Sequence, residues 1–162
     1  MFLFPECVYR FTSTRGQIRS KNYPNNYDNN LDCRYLISVP SNYEILISFI
    51  EINLEKGPNC NYDFVRVYDG GDASQRTMGK FCGTSLPTPL RSTGNEMLIQ
   101  FKTDDRQPRK GFVMNWRRVE KRVATTPSTT PSTTPATQSG NCIFIRTNHV
   151  RTQGFSRSML RI

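Results

Sequence analysis

Apolar residues along this chain fall in short runs separated by turn-forming residues, with none of the three-and-four spacing of an amphipathic helix. The runs are 34–39, 43–50, 64–68, 97–101 and 112–116, all rich in branched and aromatic residues. Several alternate: Ile45, Ile47 and Phe49; Met97, Ile99 and Phe101; Phe112, Met114 and Trp116. Successive strand side chains point to opposite faces, so each set lines one face of a half-buried strand. Turns are supplied by Asp69-Gly70-Gly71, by Ser92-Thr93-Gly94-Asn95 and by the Asn-rich stretch 22–30. Many short strands with punctuating turns predict an all-β sandwich or barrel.

This pattern stops before residues 125–137, TTPSTTPSTTPAT. Proline removes backbone donors, and Ser and Thr offer no apolar face, so the segment cannot offset the entropy of folding. Such tracts suit O-glycosylated, mucin-like stalks, which we favour over an unmodified flexible linker. The chain lacks an N-x-S/T sequon, so N-glycosylation is not expected. The organisation expected is a domain over 1–119, a Thr/Ser/Pro-rich linker over 120–140 and a short tail over 141–162. That tail is too small for a core of its own. It reads first as the start of a further domain cut short; an intermolecular disulfide through Cys142 and an unrelated tail are the other readings.

The net charge of +9 changes the picture only once it is located. Residues 1–115 carry +2 and residues 116–162 carry +7. Nucleic-acid binding is therefore not expected, because the basic excess lies outside the strand-rich part. The basic tail is a candidate contact for polyanions instead. No apolar stretch reaches the length of a membrane-spanning helix. MFLF before Pro5 is also too short for the apolar region of a signal peptide, leaving a mature chain or one whose start lies outside the sequence.

Cys7, Cys33, Cys60 and Cys82 lie among the strand runs and Cys142 lies alone in the tail. No pair has the close spacing of a zinc knuckle, and the only histidine is His149. Four cysteines in a strand-rich chain read as two disulfides and an oxidising compartment, the alternative being four buried thiols in a cytosolic protein. Of the three pairings available, the sequential one closes two loops of moderate length.

The ordered set of motifs is more specific than any one of them. Gly16-Gln17-Ile18 is followed by Ser20-Lys21-Asn22-Tyr23-Pro24 and Tyr27-Asp28-Asn29-Asn30, then Cys33, Tyr35 and Ile37. Further on come Leu54-Glu55, Cys60-Asn61-Tyr62-Asp63, Asp69-Gly70, Gly79-Lys80-Phe81-Cys82-Gly83, Asn95-Glu96-Met97, Phe101-Lys102-Thr103-Asp104 and Gly111-Phe112. From Cys7 to about Trp116 the chain resembles the CUB family of extracellular modules. The resemblance implies a two-sheet, jelly-roll-like β-sandwich and the pairing Cys7–Cys33 and Cys60–Cys82, with Cys142 unpaired. It also implies a secreted protein whose module binds partners and catalyses nothing.

A calcium-holding subset of that family places acids where this chain has Glu55, Asp63 and Asp104, with a supporting tyrosine at the position of Tyr27. The resemblance therefore implies Ca2+ as a cofactor at Glu55, Asp63 and Asp104. Calcium takes six to eight hard oxygen ligands, which carboxylates from separate loops, backbone carbonyls and water can supply. Arg106, Gln107 and Asn53 depart from residues common in the family near this site, and Arg106 brings a positive charge that could pair with the acids. In the family a basic side chain of the partner often meets the calcium-bound carboxylates, a charge-assisted contact.

Catalysis is not expected. The lone histidine removes Ser–His and Cys–His arrangements, and H-E-x-x-H is absent. Asp104-Asp105 are adjacent acids, but a ligand beside a solvated neighbour explains them better than glycoside hydrolysis. The dibasic Lys121-Arg122 reads as a solvated domain end rather than a processing site. The leading expectation is a secreted module that binds an extracellular protein in a calcium-dependent manner. The alternatives are a docking module within a secreted metalloprotease or serine protease, and a secreted glycan- or heparin-binding protein.

Overall fold

A computed structural model describes residues 7–122. Among the described residues nine strands form: β1 Val8–Phe11, β2 Arg15–Arg19, β3 Asp32–Ser38, β4 Tyr43–Asn53, β5 Phe64–Tyr68, β6 Thr77–Phe81, β7 Leu90–Arg91, β8 Glu96–Lys102 and β9 Gly111–Glu120. A 3-10 turn, Pro58–Cys60, precedes β5. The strands build two sheets, one ordered β1-β3-β8-β5-β6 and the other β2-β9-β4-β7. This is the expected all-β, two-sheet sandwich. The pairings are antiparallel except β1, which runs parallel to β3.

The alternating sets face one another across the sandwich. Met97, Ile99 and Phe101 of β8 are fully buried, as are Ile45 and Ile47 of β4 and Phe112 and Met114 of β9. Removing this apolar surface from water is the main drive to fold. Edge-to-face contacts link Phe101 to Phe112 at 5.3 Å and Tyr35 to Phe112 at 6.0 Å between ring centroids. In β4 the alternation changes phase. Its register against β9 shifts between Phe49 and Glu51, which leaves Ile50 half exposed and returns Ile52 to the core. The bulge also puts Glu51 on the outer side, where its carboxylate accepts from the Tyr23 hydroxyl at 2.7 Å and from Lys110.

Among the described residues Cys7–Cys33 and Cys60–Cys82 form disulfides, as the resemblance implied. The first ties the start of the described chain to β3, beside the parallel β1 pairing. The second joins the 3-10 turn to the segment after β6. The Thr/Ser/Pro tract, Cys142 and the basic tail lie outside the described residues.

Candidate metal centre

Three strand ends bring the predicted acids together. Phe64 of β5 pairs with Lys102 of β8, so Asp63 and Asp104 leave that ladder side by side. Glu55 follows β4 by two residues, in a segment held by the Leu54 N–H, which donates to the Gly83 carbonyl at 3.0 Å. One carboxylate oxygen from each of Glu55, Asp63 and Asp104 lies within 4.8 Å of the others. Asp63 is wholly buried, Glu55 is 7% exposed and Asp104 is half-buried.

Tyr27 ties this cluster together. It lies in the loop between β2 and β3, its N–H donating to the Arg109 carbonyl at 2.9 Å and its ring set edge-on against Phe101 at 5.2 Å. Its hydroxyl donates to Asp63 Oδ2 and accepts from the Glu55 backbone N–H at 3.2 Å. The tyrosine thus holds the Asp63 carboxylate and the Glu55 main chain, leaving the Glu55 side chain free. Asp63 Oδ1 accepts the Asp104 N–H at 2.8 Å, and Asp104 Oδ1 accepts the Arg106 N–H at 2.8 Å.

The cluster fits a hard cation. Among the described residues, Glu55 Oε2 is one of two buried side-chain polar atoms without a hydrogen-bond partner. A buried acceptor left unpaired is costly, and a coordinated ion would satisfy it. Burial pushes the Glu55 carboxyl up, and the Asp104 and Asp63 charges push it further, against Arg109 and Arg106. Burial likewise raises Asp63, outweighing the hydrogen bonds from Tyr27 and the Asp104 N–H. Burial and the Asp63 bond raise the Tyr27 phenol, so it stays protonated and able to donate. Arg106 does not neutralise the acids directly: its side chain is largely exposed, and its Nε lies 3.5 Å from Asp105.

Thr103 had no assigned role in the sequence reading, yet it secures the Asp104 loop. It is buried; its Oγ1 accepts the Leu31 N–H at 2.9 Å and donates to the Asp28 carbonyl at 3.0 Å. The Asn30 N–H donates to the Asp104 carbonyl at 2.7 Å. A threonine leaving a strand directly before an acid is a weak signal, since the hydroxyl partners lie about 70 residues away in sequence.

A family model for the CUB domain matches residues 7–116. Cubilin of Canis lupus familiaris is 36% identical over 110 residues, spanning 68% of this chain and 3% of cubilin. The full extracellular region of zebrafish Gpr126/Adgrg6 superposes with a TM-score of 0.64 at 31% identity, covering 71% of this chain and 15% of that one. The MASP-1 CUB2 domain bound to Ca2+ superposes with a TM-score of 0.62 at 27% identity, covering 67% of this chain and 96% of that one. The chain therefore spans a small fraction of the length of cubilin.

Proposed function

The chain belongs to the CUB domain family, and we propose that it acts as a secreted, non-catalytic module that binds an extracellular protein through a calcium-ordered loop end. The observation that carries this reading is the convergence of Glu55, Asp63 and Asp104 around an unsatisfied buried oxygen of Glu55. The calcium-bound MASP-1 CUB2 domain, a relative of the same fold, supports the choice of ion. The zebrafish extracellular region and the two disulfides support the compartment.

Glu55, Asp63 and Asp104 would hold the ion. Calcium supplies two positive charges and an appetite for several oxygen ligands. Tyr27 fixes two of the three contributing segments by bonding to Asp63 and to the Glu55 N–H. Thr103 holds the third. With the acids neutralised, the loop end can present carboxylate oxygens to a lysine or arginine of the partner.

Thermal unfolding in calcium and in chelator tests the reading. A ligand bound only by the folded state raises stability by about 2.7 kcal/mol at 100 times its Kd. Asp104→Ala should abolish the rise in midpoint while leaving the chelator value unchanged. A wild-type midpoint indifferent to calcium would contradict the proposal.

A second reading concerns context. Cubilin carries its matching span within a much longer chain, which favours a docking role inside a larger protein; a secreted protease is one such protein. An H-E-x-x-H motif or a serine-protease triad encoded contiguously with residues 1–162 would establish the protease form.

A further inference from the structure

The strand register sorts charges that look evenly mixed in the sequence. Arg34 of β3 stands opposite Gln100 of β8, Gln100 opposite Arg66 of β5, and Arg66 opposite Lys80 of β6. These residues alternate with the buried Cys33, Tyr35, Phe101, Val65 and Val67, so the row lies on the outer face of the five-stranded sheet. Lys102 lies one row to one side, opposite Phe64 and Asp32. Arg10 lies one row to the other, opposite Leu36.

We propose that this outer face, carrying Arg10, Arg34, Arg66, Lys80 and Lys102, docks a sulfated polysaccharide. The cations outnumber the acids. Among the described residues Asp32 and Glu96 are the acids on the face; Asp32 accepts from Gln100 at 2.8 Å and Glu96 from Ser38 at 3.2 Å, neutral donors that leave both carboxylates charged, so the two acids offset only part of the positive charge. Asp32 approaches Arg34 only to 4.0 Å, and Arg10, Arg66, Lys80 and Lys102 form no salt bridge among the described residues.

Two of the cations crowd together. The Arg66 guanidinium and the Lys80 ammonium sit 5.1 Å and 4.3 Å from the centre of the same Phe64 ring. Burial and then the nearby Arg66 charge push the Lys80 ammonium down. An anion between them relieves that repulsion. The Arg66 Nη1 donates to the Tyr68 hydroxyl at 3.4 Å, which donates to Gln100 Oε1 at 3.2 Å, so the guanidinium is held before a ligand arrives.

Spacing selects a linear polymer. Adjacent strands lie about 4.8 Å apart, so Arg34, Arg66 and Lys80 span about 14 Å in a line across the sheet. A chain bearing sulfates at regular intervals along its sugar rings can meet all three at once. Besides its amide and cations the row carries the half-exposed Val8 opposite Arg34, one apolar side chain at the sheet edge rather than an apolar patch that would enter a bilayer. This surface requires no calcium.

The test measures binding of the full 162-residue chain to immobilised heparin at physiological salt, in chelator. Arg66→Gln/Lys80→Gln should weaken binding about 10-fold. Arg15→Gln/Arg117→Gln removes the same charge from a cross-strand pair on the other sheet and should change binding less than about threefold. Because Arg66 is half-buried, Arg34→Gln/Lys102→Gln, both well exposed, provides a second variant with the same expected loss. Equal losses on the two sheets, or none in either variant of this face, would overturn the proposal and leave net charge or the tail as the binder. Binding to phosphatidylserine vesicles with the same variant dependence would assign the face to a membrane and overturn the polysaccharide.

Discussion

The Tyr27 hydroxyl is shared between the side chain of Asp63, to which it donates, and the main chain of Glu55, from which it accepts. One buried oxygen thereby joins loops separated by 36 and 28 residues. Tyr27→Phe keeps the ring on Phe101 but strands Asp63 Oδ2 and the Glu55 N–H. We expect a loss of about 1–3 kcal/mol in urea unfolding with chelator present. The calcium response should weaken as well, because two ligand-bearing segments lose their common anchor. Unchanged stability would mean that water replaces the hydroxyl without cost.

Asp69 predicts an acid-sensitive contribution unconnected to calcium. Its side chain is 3% exposed; it accepts the Thr93 N–H at 2.8 Å, the Arg76 guanidinium at 2.7 Å and the Thr93 hydroxyl at 3.0 Å. Burial alone would raise its pKa, but these bonds and the Arg76 charge outweigh it and hold the carboxyl below the ordinary aspartate value. A depressed folded pKa gives stability that is complete above the unfolded value and is lost as pH falls through the folded one. The loss should therefore begin below about pH 4. Asp69→Asn should lower stability at neutral pH and flatten that acid limb in unfolding measured against pH.

Gly111 opens β9 with φ of 95°, a conformation that side chains disfavour. A Cβ there would overlap Ser20 Oγ, which accepts the Phe112 N–H at 3.1 Å. Gly111→Ala should cost about 1–3 kcal/mol or more through strain and a displaced Ser20. Ser20→Ala in the same background relieves part of the clash, and the double variant should recover some stability in the same unfolding assay.

The Cys60–Cys82 bridge closes a separation of 22 residues around Asp63. Replacing both cysteines by serine should cost about 3 kcal/mol in the chain-entropy model. Calcium should then recover part of the loss, because Asp63 and the Gly83 contact to Leu54 flank that bridge. Comparing unfolding midpoints with and without calcium checks this.

Much of this fold was legible because β3, β4, β5, β8 and β9 carry clean alternation or dense apolar runs. The other strands were not. Within β2 only Ile18 is fully buried, β6 contains Gly79 and has no buried residue, and β7 is two residues long. Such edge strands are held by pairing rather than by an apolar stripe. The β4 bulge was hidden as well, since Ile50 is as apolar as the residues it interrupts and only the register turns it outward. The grouping of the three acids with Tyr27 was legible through the family's motifs, whereas the bond from Tyr27 to Asp63 and the role of Thr103 depend on partners distant in sequence. The cationic face was invisible because Arg34, Arg66 and Lys80 become neighbours only through strand order.

Calorimetric titration of calcium into chelator-treated protein distinguishes an ion site from a bare cluster of acids. One ion should bind per chain, with binding lost in Glu55→Gln and Asp104→Ala while both variants retain the wild-type fold. Absence of a binding heat in the wild type together with unchanged tyrosine fluorescence, or full binding by both variants, would contradict the ion site.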